Sequence, residues 1–297
     1  MNKRPLYMVL VPPSLERTPA LFRAMALAKQ SEAEITLALF EFDAGLAKAR
    51  VKGFDMTAYL EGRRRALEQF AAHLRREGFS VKTSVHWGYG LTAQILEEVE
   101  KLQPDLVIKD VHAEPALKRL MLTGHDHELL RHCPAPLMLV KPGNHNLPAH
   151  LVAAVDPLDE HNRPHELNSR ILAAAEKYGM LTGASVDVVH VFEPVPLLAS
   201  AAGFGGGWVP DYSVVQEIRE LHQTTFRKLC TDYGVEMRHQ HMLDGFAADT
   251  LAEFSATYHI DLLVMGTVYR TGPERAILGS VAAQLFQHLN CDVLAVK

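Results

Sequence analysis

Pro104-Asp-Leu-Val-Ile-Lys109 returns later in the chain as Ile260-Asp-Leu-Leu-Val-Met265, and Pro136-Leu-Met-Leu-Val-Lys141 returns as Asp292-Val-Leu-Ala-Val-Lys297. Both pairs of segments are offset by the same 156 residues (104 to 260 and 136 to 292). Two well-separated matches in one register are the signature of an internal repeat, which bears on the whole fold and not on one element. The sequence therefore predicts two copies of one domain.

The beginnings of the two copies match as well. Met8-Val-Leu-Val-Pro-Pro13 resembles Val152-Ala-Ala-Val-Asp-Pro157, at an offset of 144 residues (8 to 152), so the second copy carries an insertion further on. Residues 143–150, rich in Gly, Pro and Asn, form the expected linker. A chain of 297 residues is long enough for two domains of ordinary size, here predicted over 1–142 and 151–297.

Short apolar runs alternate with helical patterns in both copies. Residues 106–108 (Leu-Val-Ile) and 262–265 (Leu-Leu-Val-Met) lack the alternation of a half-exposed strand, which favours strands buried on both faces of a parallel sheet. Five strands separated by helices predict a doubly wound, Rossmann-like α/β domain with a five-stranded parallel sheet. In the second copy the third strand is predicted over Val235–Met242 and the last helix over Val281–His288.

Composition and charge narrow the functional class. A net charge of −5, with basic and acidic residues interspersed, is atypical of a nucleic-acid binder. The apolar run Leu6–Val11 is too short for a signal peptide, and no stretch is long enough for a membrane span. The cysteines Cys133, Cys230 and Cys291 lie far apart and suit a reducing compartment. We therefore expect a protein of the cytoplasm.

The second copy has polar and small residues where a doubly wound sheet binds its ligands. Such sheets hold ligands beyond the carboxyl ends of the strands, at the point where the winding direction reverses. Asp156 follows the first strand of this copy and Gly266 ends the fourth strand. Gly279-Ser280 precedes the last predicted helix, and backbone N–H groups at a helix N-terminus favour phosphate.

The spacing Gly266-x2-Tyr269-x9-Gly279-Ser280 resembles the G-x2-G-x9-G-[ST] signature of nucleotide-binding universal stress proteins. The duplicated architecture, which covers essentially the whole chain, resembles the tandem, E-type members of that family. The resemblance implies an adenine nucleotide, ATP in the first place and with Mg²⁺ as an option, bound by the second copy. It assigns nucleotide contacts to eight positions: Ala154, Asp156, Val191, Gly266, Thr267, Gly279, Ser280 and Val281.

Two departures from the family pattern bear on this assignment. The second glycine of the signature is Tyr269 here, which suits neither a positive φ nor close approach of a phosphate. The first copy lacks the pattern altogether, because Pro12 stands at the position of Asp156 and Asp110 at that of Gly266. We expect the first copy to be a degenerate, structural half or to serve a different ligand.

Three functional hypotheses follow. The chain has no G-x-S-x-G elbow, G-x-x-x-x-G-K-[ST] loop or H-E-x-x-H helix, so a stress-response protein that binds ATP as a sensor or scaffold is favoured over an enzyme. A slow ATPase is the second hypothesis. The third is a binding module for an apolar ligand beneath residues 194–210, with Phe204 and Trp208 as contacts and Tyr269 closing the phosphate end.

The sequence also bears on partners and metals. The apolar strands Leu137–Val140 and Val293–Val296 end each sheet, and the family resemblance implies that such strands pair, here within one chain. A homodimer and an unidentified protein partner are left open. The pairs His125/His127 and His239/His241 have metal-ligand spacing, but no cysteine or carboxylate cluster completes either set, so no metal site is predicted.

Overall fold

The computed structural model describes residues 4–45, 55–114, 119–143, 147–158, 166–194, 212–266, 280–286 and 288–297. The chain divides into two compact units. Met1–Glu114 with Met121–Leu147 forms the first, and Pro148–Lys297 with Pro115–Leu120 forms the second. The two units are called the first and the second domain below.

The first domain is a five-stranded parallel sheet with the strand order β3-β2-β1-β4-β7. Two further short strands, β5 and β6, follow β4 along the chain, and β6 spans a boundary between the two units because residues 119 and 120 belong to the second. The elements are β1 (Leu6–Val11), α1 (Pro19–Ser31), β2 (Glu34–Glu41), α2 (Met56–Arg76), β3 (Ser80–Trp87), α3 (Leu91–Leu102), β4 (Leu106–Asp110), β5 (His112–Glu114), β6 (Arg119–Met121), α4 (Gly124–His132) and β7 (Leu137–Val140).

The second domain repeats this sheet, with the parallel strand order β10-β9-β8-β11-β12. Its elements are β8 (His150–Ala154), α5 (Glu166–Thr182), β9 (Ser185–Phe192), α6 (Tyr212–Asp232), a 3-10 turn (Met237–His239), β10 (Gln240–Asp244), α7 (Ala247–Thr257), β11 (Leu262–Gly266), α8 (Ser280–Leu285) and β12 (Asp292–Val296). The predicted α/β class with two doubly wound, five-stranded domains is confirmed.

One aspartate position explains part of the sequence repeat. Asp105 precedes β4, and its Oδ2 accepts a hydrogen bond of 2.8 Å from the backbone N–H of Leu6 at the start of β1. Asp261 precedes β11, and its Oδ2 accepts from the N–H groups of Ala149 (2.8 Å) and His150 (3.0 Å) at the start of β8. In both domains the carboxylate therefore fixes the register of the first strand against the fourth.

The third strand of the second domain begins later than predicted. Residues 237–239 form the 3-10 turn, so the predicted strand Val235–Met242 is wrong over its first half. Met237 is 80% exposed, because its side chain faces solvent and not the sheet. The last helix also ends at Leu285, before the predicted His288. Among the described residues, no helix is both long and apolar enough to cross a membrane.

Candidate functional site

The sheet register brings the candidate ligand residues of the second domain to one edge. Ala154, the last residue of β8, is paired with Val189 of β9 on one side and with Met265 of β11 on the other. Gly266 is therefore level with residue 155 and Val191 with residue 156. The structure places Ala154, Asp156, Val191 and Gly266 together at the carboxyl edge, where β8 separates the two directions of winding.

Asp156 is held by its backbone and presents its carboxylate to solvent. The buried side chain of Asn168, on α5, accepts a hydrogen bond from Asp156 N (3.2 Å) and donates one to Asp156 O (2.8 Å). Asp156 Oδ1 accepts from the N–H of Leu158 at 3.3 Å, which closes a local turn. Within the described part of the chain, Oδ2 has no hydrogen-bond partner, so it is available to a ligand.

Gly266 allows α5 to approach the end of β11. A Cβ atom built on this glycine would lie 2.7 Å from Cδ2 and 3.0 Å from Cγ of Leu167. Any other residue here would displace Leu167, which adjoins the Asn168 clamp on Asp156. The absence of a side chain at 266 is therefore required by packing, before any role toward a phosphate is considered.

Two stacked imidazoles lie beneath this edge. His190 Nδ1 is 3.1 Å from the carbonyl oxygen of Val155, and His190 Nε2 is 2.8 Å from His222 Nδ1 on α6. Since a carbonyl only accepts, His190 Nδ1 carries the proton, and neutral His190 Nε2 must accept from His222 Nδ1–H. The rings are 5.0 Å apart with an interplanar angle of 9°. The chain of bonds fixes the Val155–Asp156 peptide from below.

Burial disfavours the charged form of both imidazoles. Loss of hydration lowers the pKa of His190 below its ordinary 6.5, although the charge of Asp156 and the bond to Val155 oppose the shift. Burial also lowers the pKa of His222, again against the attraction of Asp156. Protonation of both rings would set His190 Nε2–H against His222 Nδ1–H, so double protonation breaks the chain.

The other carboxylates near this edge are already engaged. Glu193 Oε1 accepts from the backbone N–H of Ala247 at the start of α7. Asp244 at the end of β10 receives two hydrogen bonds from Arg219 of α6, at 2.9 and 2.8 Å. Among the described residues, Asp244 has both oxygens engaged, whereas Asp156 and Glu193 each retain one oxygen without a hydrogen-bond partner.

Several predicted contacts lie outside the described residues: Thr267, Tyr269, Gly279, Phe204 and Trp208. Ser280 and Val281 lie in the first turn of α8, as the sequence predicted for a helix start, and only their backbone is described. The sequence reasoning did not find Asn168 or His222. Both lie on helices at positions without a motif and contact the site only through the packing of those helices on the sheet.

The corresponding edge of the first domain is filled by its own side chains. Asp110 Oδ1, at the position of Gly266, accepts a hydrogen bond of 2.8 Å from the N–H of Ala20 at the start of α1. At the start of α4, Thr123 and Asp126 form a reciprocal capping box. The ammonium of Lys109 lies 2.6 Å from Oδ1 of the fully buried Asp126, an ion pair outside hydrogen-bond geometry. Backbone groups that would receive an anion are therefore occupied.

An arginine occupies the part of the first domain where a base would lie. Arg63 of α2 donates through Nε to Glu41 Oε2 at 2.9 Å, donates through Nη2 to Glu41 Oε1, and reaches the carbonyl oxygen of Pro13 at 2.6 Å. Tyr59 OH donates to the same carboxylate at 3.3 Å. Glu41 ends β2 and Pro13 follows β1, so the planar guanidinium bridges the two strand ends. These contacts favour the structural interpretation of this domain.

A carboxylate does adjoin one of the histidine pairs. Asp187 of β9 lies with Oδ1 2.7 Å from His239 Nδ1 and 3.2 Å from His241 Nε2. This single acidic neighbour comes from an adjacent strand and is distant in sequence. Even so, no group of three metal-ligating side chains among the described residues is arranged to hold a metal ion.

The fold and the site define a class: a tandem of two doubly wound domains, with the exposed carboxylate of Asp156 at the carboxyl edge of the second and paired polar side chains at that of the first. The sequence profile of the universal stress protein family matches residues 8–141 and again residues 157–297. The chain belongs to the universal stress protein family. The resemblance to its tandem members is thereby confirmed.

Similar proteins share the duplicated length. Universal stress protein E homolog of Haemophilus influenzae is 26% identical, over 98% of this chain and 96% of that protein. Universal stress protein E of Escherichia coli K12 is 25% identical, over 98% and 93%. A crystal structure of a functionally unknown protein from Pseudomonas aeruginosa PAO1 has a TM-score of 0.76 at 24% identity, covering 98% of this chain and 92% of that one. A universal stress protein from Archaeoglobus fulgidus has a TM-score of 0.64 at 13% identity, with 98% coverage of both chains.

The buried imidazoles predict a loss of stability in acid. Below pH 6.5 the unfolded chain binds protons at His190 and His222 that the folded chain excludes, so the free energy of unfolding falls as the pH drops from 6.5 toward the lower pKa values of the folded state. Above pH 6.5 the pair adds no pH dependence. Urea unfolding followed by circular dichroism over this range measures the slope.

His222→Asn keeps a donor to His190 Nε2 and removes one titrating group, so we expect a shallower slope. His259→Asn is the matched control, because His259 is exposed and has a φ of +52°, which asparagine tolerates. An unchanged slope in His222→Asn would contradict the assignment of neutral, proton-excluding rings.

The filled edge of the first domain predicts a strong effect at Arg63. Arg63→Leu leaves buried Glu41 without its cation and lowers the free energy of unfolding by about 3 kcal/mol. The exposed neighbour Arg64→Leu has little effect. Because the double variant Arg63→Leu/Glu41→Leu removes both charges, it recovers most of the loss in urea unfolding. A double variant no more stable than Arg63→Leu would refute the self-filled site.

Proposed function

We propose that the second domain binds an adenine nucleotide, ATP in the first place, and that the first domain binds none. The observation that carries the proposal is Asp156, whose carboxylate keeps an oxygen for a ligand while Asn168 and His190 fix its peptide from two sides. A carboxylate at this edge accepts hydrogen bonds from a ribose hydroxyl or a base amine. Membership in the universal stress protein family supports the proposal.

In this proposal the base lies against the ends of β8 and β9, with the backbone at Ala154 and Val191 as its partners. The phosphates extend toward Gly266, Thr267 and the α8 terminus at Gly279, Ser280 and Val281, where helix N–H groups favour negative charge. If Mg²⁺ accompanies the nucleotide, the phosphates are its ligands, since the described residues offer no metal-binding group at this edge.

The proposed role is that of a stress-response binding protein of the cytoplasm, which transmits ligand occupancy to a protein partner. Nucleotide binding across β8, β9 and β11 would favour one arrangement of the chain between Gly266 and Ser280, and a ligand shifts an equilibrium by its different affinity for the two states. We also propose that the apolar edge strands β7 and β12 pair within the chain, since uncovered apolar edges aggregate.

Isothermal calorimetry with ATP tests the proposal. The wild type is expected to bind, and Asp156→Ala to weaken binding about tenfold, as expected for loss of a hydrogen bond to a charged group. Gly279→Asp is expected to abolish binding by placing a negative charge at the phosphate position.

Asp244→Asn is the control, because it removes a carboxylate at the same edge that is already paired with Arg219. Absence of heat with ATP, ADP and AMP in the wild type would refute the proposal. That result would favour the alternative hypothesis, an apolar ligand beneath residues 194–210.

A further inference from the structure

The second domain contains a cavity away from its nucleotide edge. The cavity has a volume of about 540 Å³ and lies between the end of α5, the turn into β9 and the segment that joins α6 to β10. Gly183 and Ala184 precede β9, and Gly234 and Val235 precede β10. The cavity is therefore at the amino ends of these strands, opposite the carboxyl edge that holds Asp156. Its volume is in the range of small-molecule sites.

The walls of the cavity are apolar. Leu172, Val186, Val188 and Val235 line it from the helix, the sheet and the connecting segment. At its mouth Met180 and Tyr233 are 73% and 43% exposed, although both side chains are large and hydrophobic. Burial of these side chains against an apolar group of a ligand would therefore be favourable.

Two glycines keep the cavity open. Gly183 and Gly234 have φ values of +72° and +67°, and a Cβ built on either would meet no atom within 4 Å. The left-handed backbone explains the choice of glycine, and the empty space beside it leaves room for a ligand.

Carboxylates line the cavity, and the guanidinium of Arg238 lies beside it, 3.0 Å from Glu236 and 3.2 Å from His239 Nε2. Glu176 and Glu236 contribute carboxylates, and His239 is bonded to the carboxylate of Asp187. Arg238 pairs with Glu236 at 3.0 Å, but both side chains are largely exposed, so this ion pair is weak. Glu176 has no ion-pair or hydrogen-bond partner within the described ranges. No lysine or arginine is found among the described residues that line the cavity.

We propose that this cavity binds a small organic cation with an apolar body, such as an alkylammonium or arylammonium compound. The apolar part fills the space between Leu172, Val186 and Val235, and the ammonium group lies at the mouth, near Glu176. The ring of Tyr233 offers a face to the same cation. An organic anion would meet the carboxylate of Glu176 there, while the guanidinium of Arg238 is paired with Glu236. The site is independent of the proposed nucleotide site.

The proposal is tested by titration of the full chain with octyltrimethylammonium below its micelle concentration, followed by ¹H–¹⁵N NMR and calorimetry. We expect saturable shifts at the amides of Leu172, Val186 and Val235. Octanoate and octanol, which share the alkyl chain, are expected to bind at least tenfold more weakly. Equal affinity for the cation and for octanol would overturn the cationic assignment, and absence of saturable shifts would overturn the site.

Variants separate charge from shape. Glu176→Gln is expected to weaken binding roughly threefold, the effect of one exposed charge pair, and Glu176→Lys more strongly. Glu253→Gln, an exposed carboxylate on α7 outside the cavity, is the matched control with unchanged affinity. An unchanged affinity in Glu176→Lys would overturn the assignment of the ammonium to this carboxylate.

Variants that fill the cavity provide a second test of the proposal. Ala184→Phe places a ring in the cavity and is expected to abolish binding of the cation while leaving ATP calorimetry unchanged. Val235→Trp does the same from the opposite wall and serves if the first variant does not fold. Cation binding that persists in a folded filled variant would overturn the proposal, whatever the outcome of the ATP titration.

Discussion

The pairing of the first strand with the fourth is the constraint on which the rest of each domain depends. β1 pairs with β4, and β8 pairs with β11. In each domain the aspartate that precedes the fourth strand, Asp105 or Asp261, accepts a hydrogen bond from the start of the first strand. Because the second strand lies on the other side of the first, the winding reverses there. In sheets of this kind a crevice for a ligand is expected at the carboxyl ends of the strands at this point.

The polar groups at this edge have different partners in the two domains. In the first domain Asp110 bonds to the start of α1 and Arg63 bridges Glu41 and Pro13, so polar groups at the edge find partners within the chain. Buried polar groups without partners are costly, and such contacts therefore make a domain stable without a ligand. In the second domain the clamps act on the backbone of Asp156 and leave its carboxylate exposed. The same fold thus serves a structural role in the first domain and a proposed binding role in the second.

The fold could be predicted from the sequence because the patterns that indicate it are local and are repeated in both domains. Apolar runs such as 262–265 indicate strands buried on both faces, and the 156-residue offset indicates duplication. Gly266 and Asp156 were located by their positions at strand ends. The Val235–Met242 strand failed in its first half because apolar residues at alternate positions resemble a strand, whereas Met237 faces solvent.

The partners that position the site could not be predicted from local patterns. Asn168 and His222 bond to Asp156 and His190 from helices, and Arg63 lies 22 positions from Glu41 in sequence. Hydrogen bonds of this kind depend on how helices pack on the sheet. The same holds for Asp187, which joins His239 and His241 only across neighbouring strands. Gly266 shows a further difficulty, since its contact with Leu167 gives the glycine a packing reason besides the motif.

Native mass spectrometry of the chain in excess ATP tests the central claim most directly, because it counts ligands on each 33.0 kDa molecule. One binding domain and one self-filled domain predict a single nucleotide per chain, absent from Gly279→Asp and retained in Arg63→Leu under conditions where that variant is folded. Two nucleotides per chain, or a single nucleotide that persists in Gly279→Asp, would contradict the account.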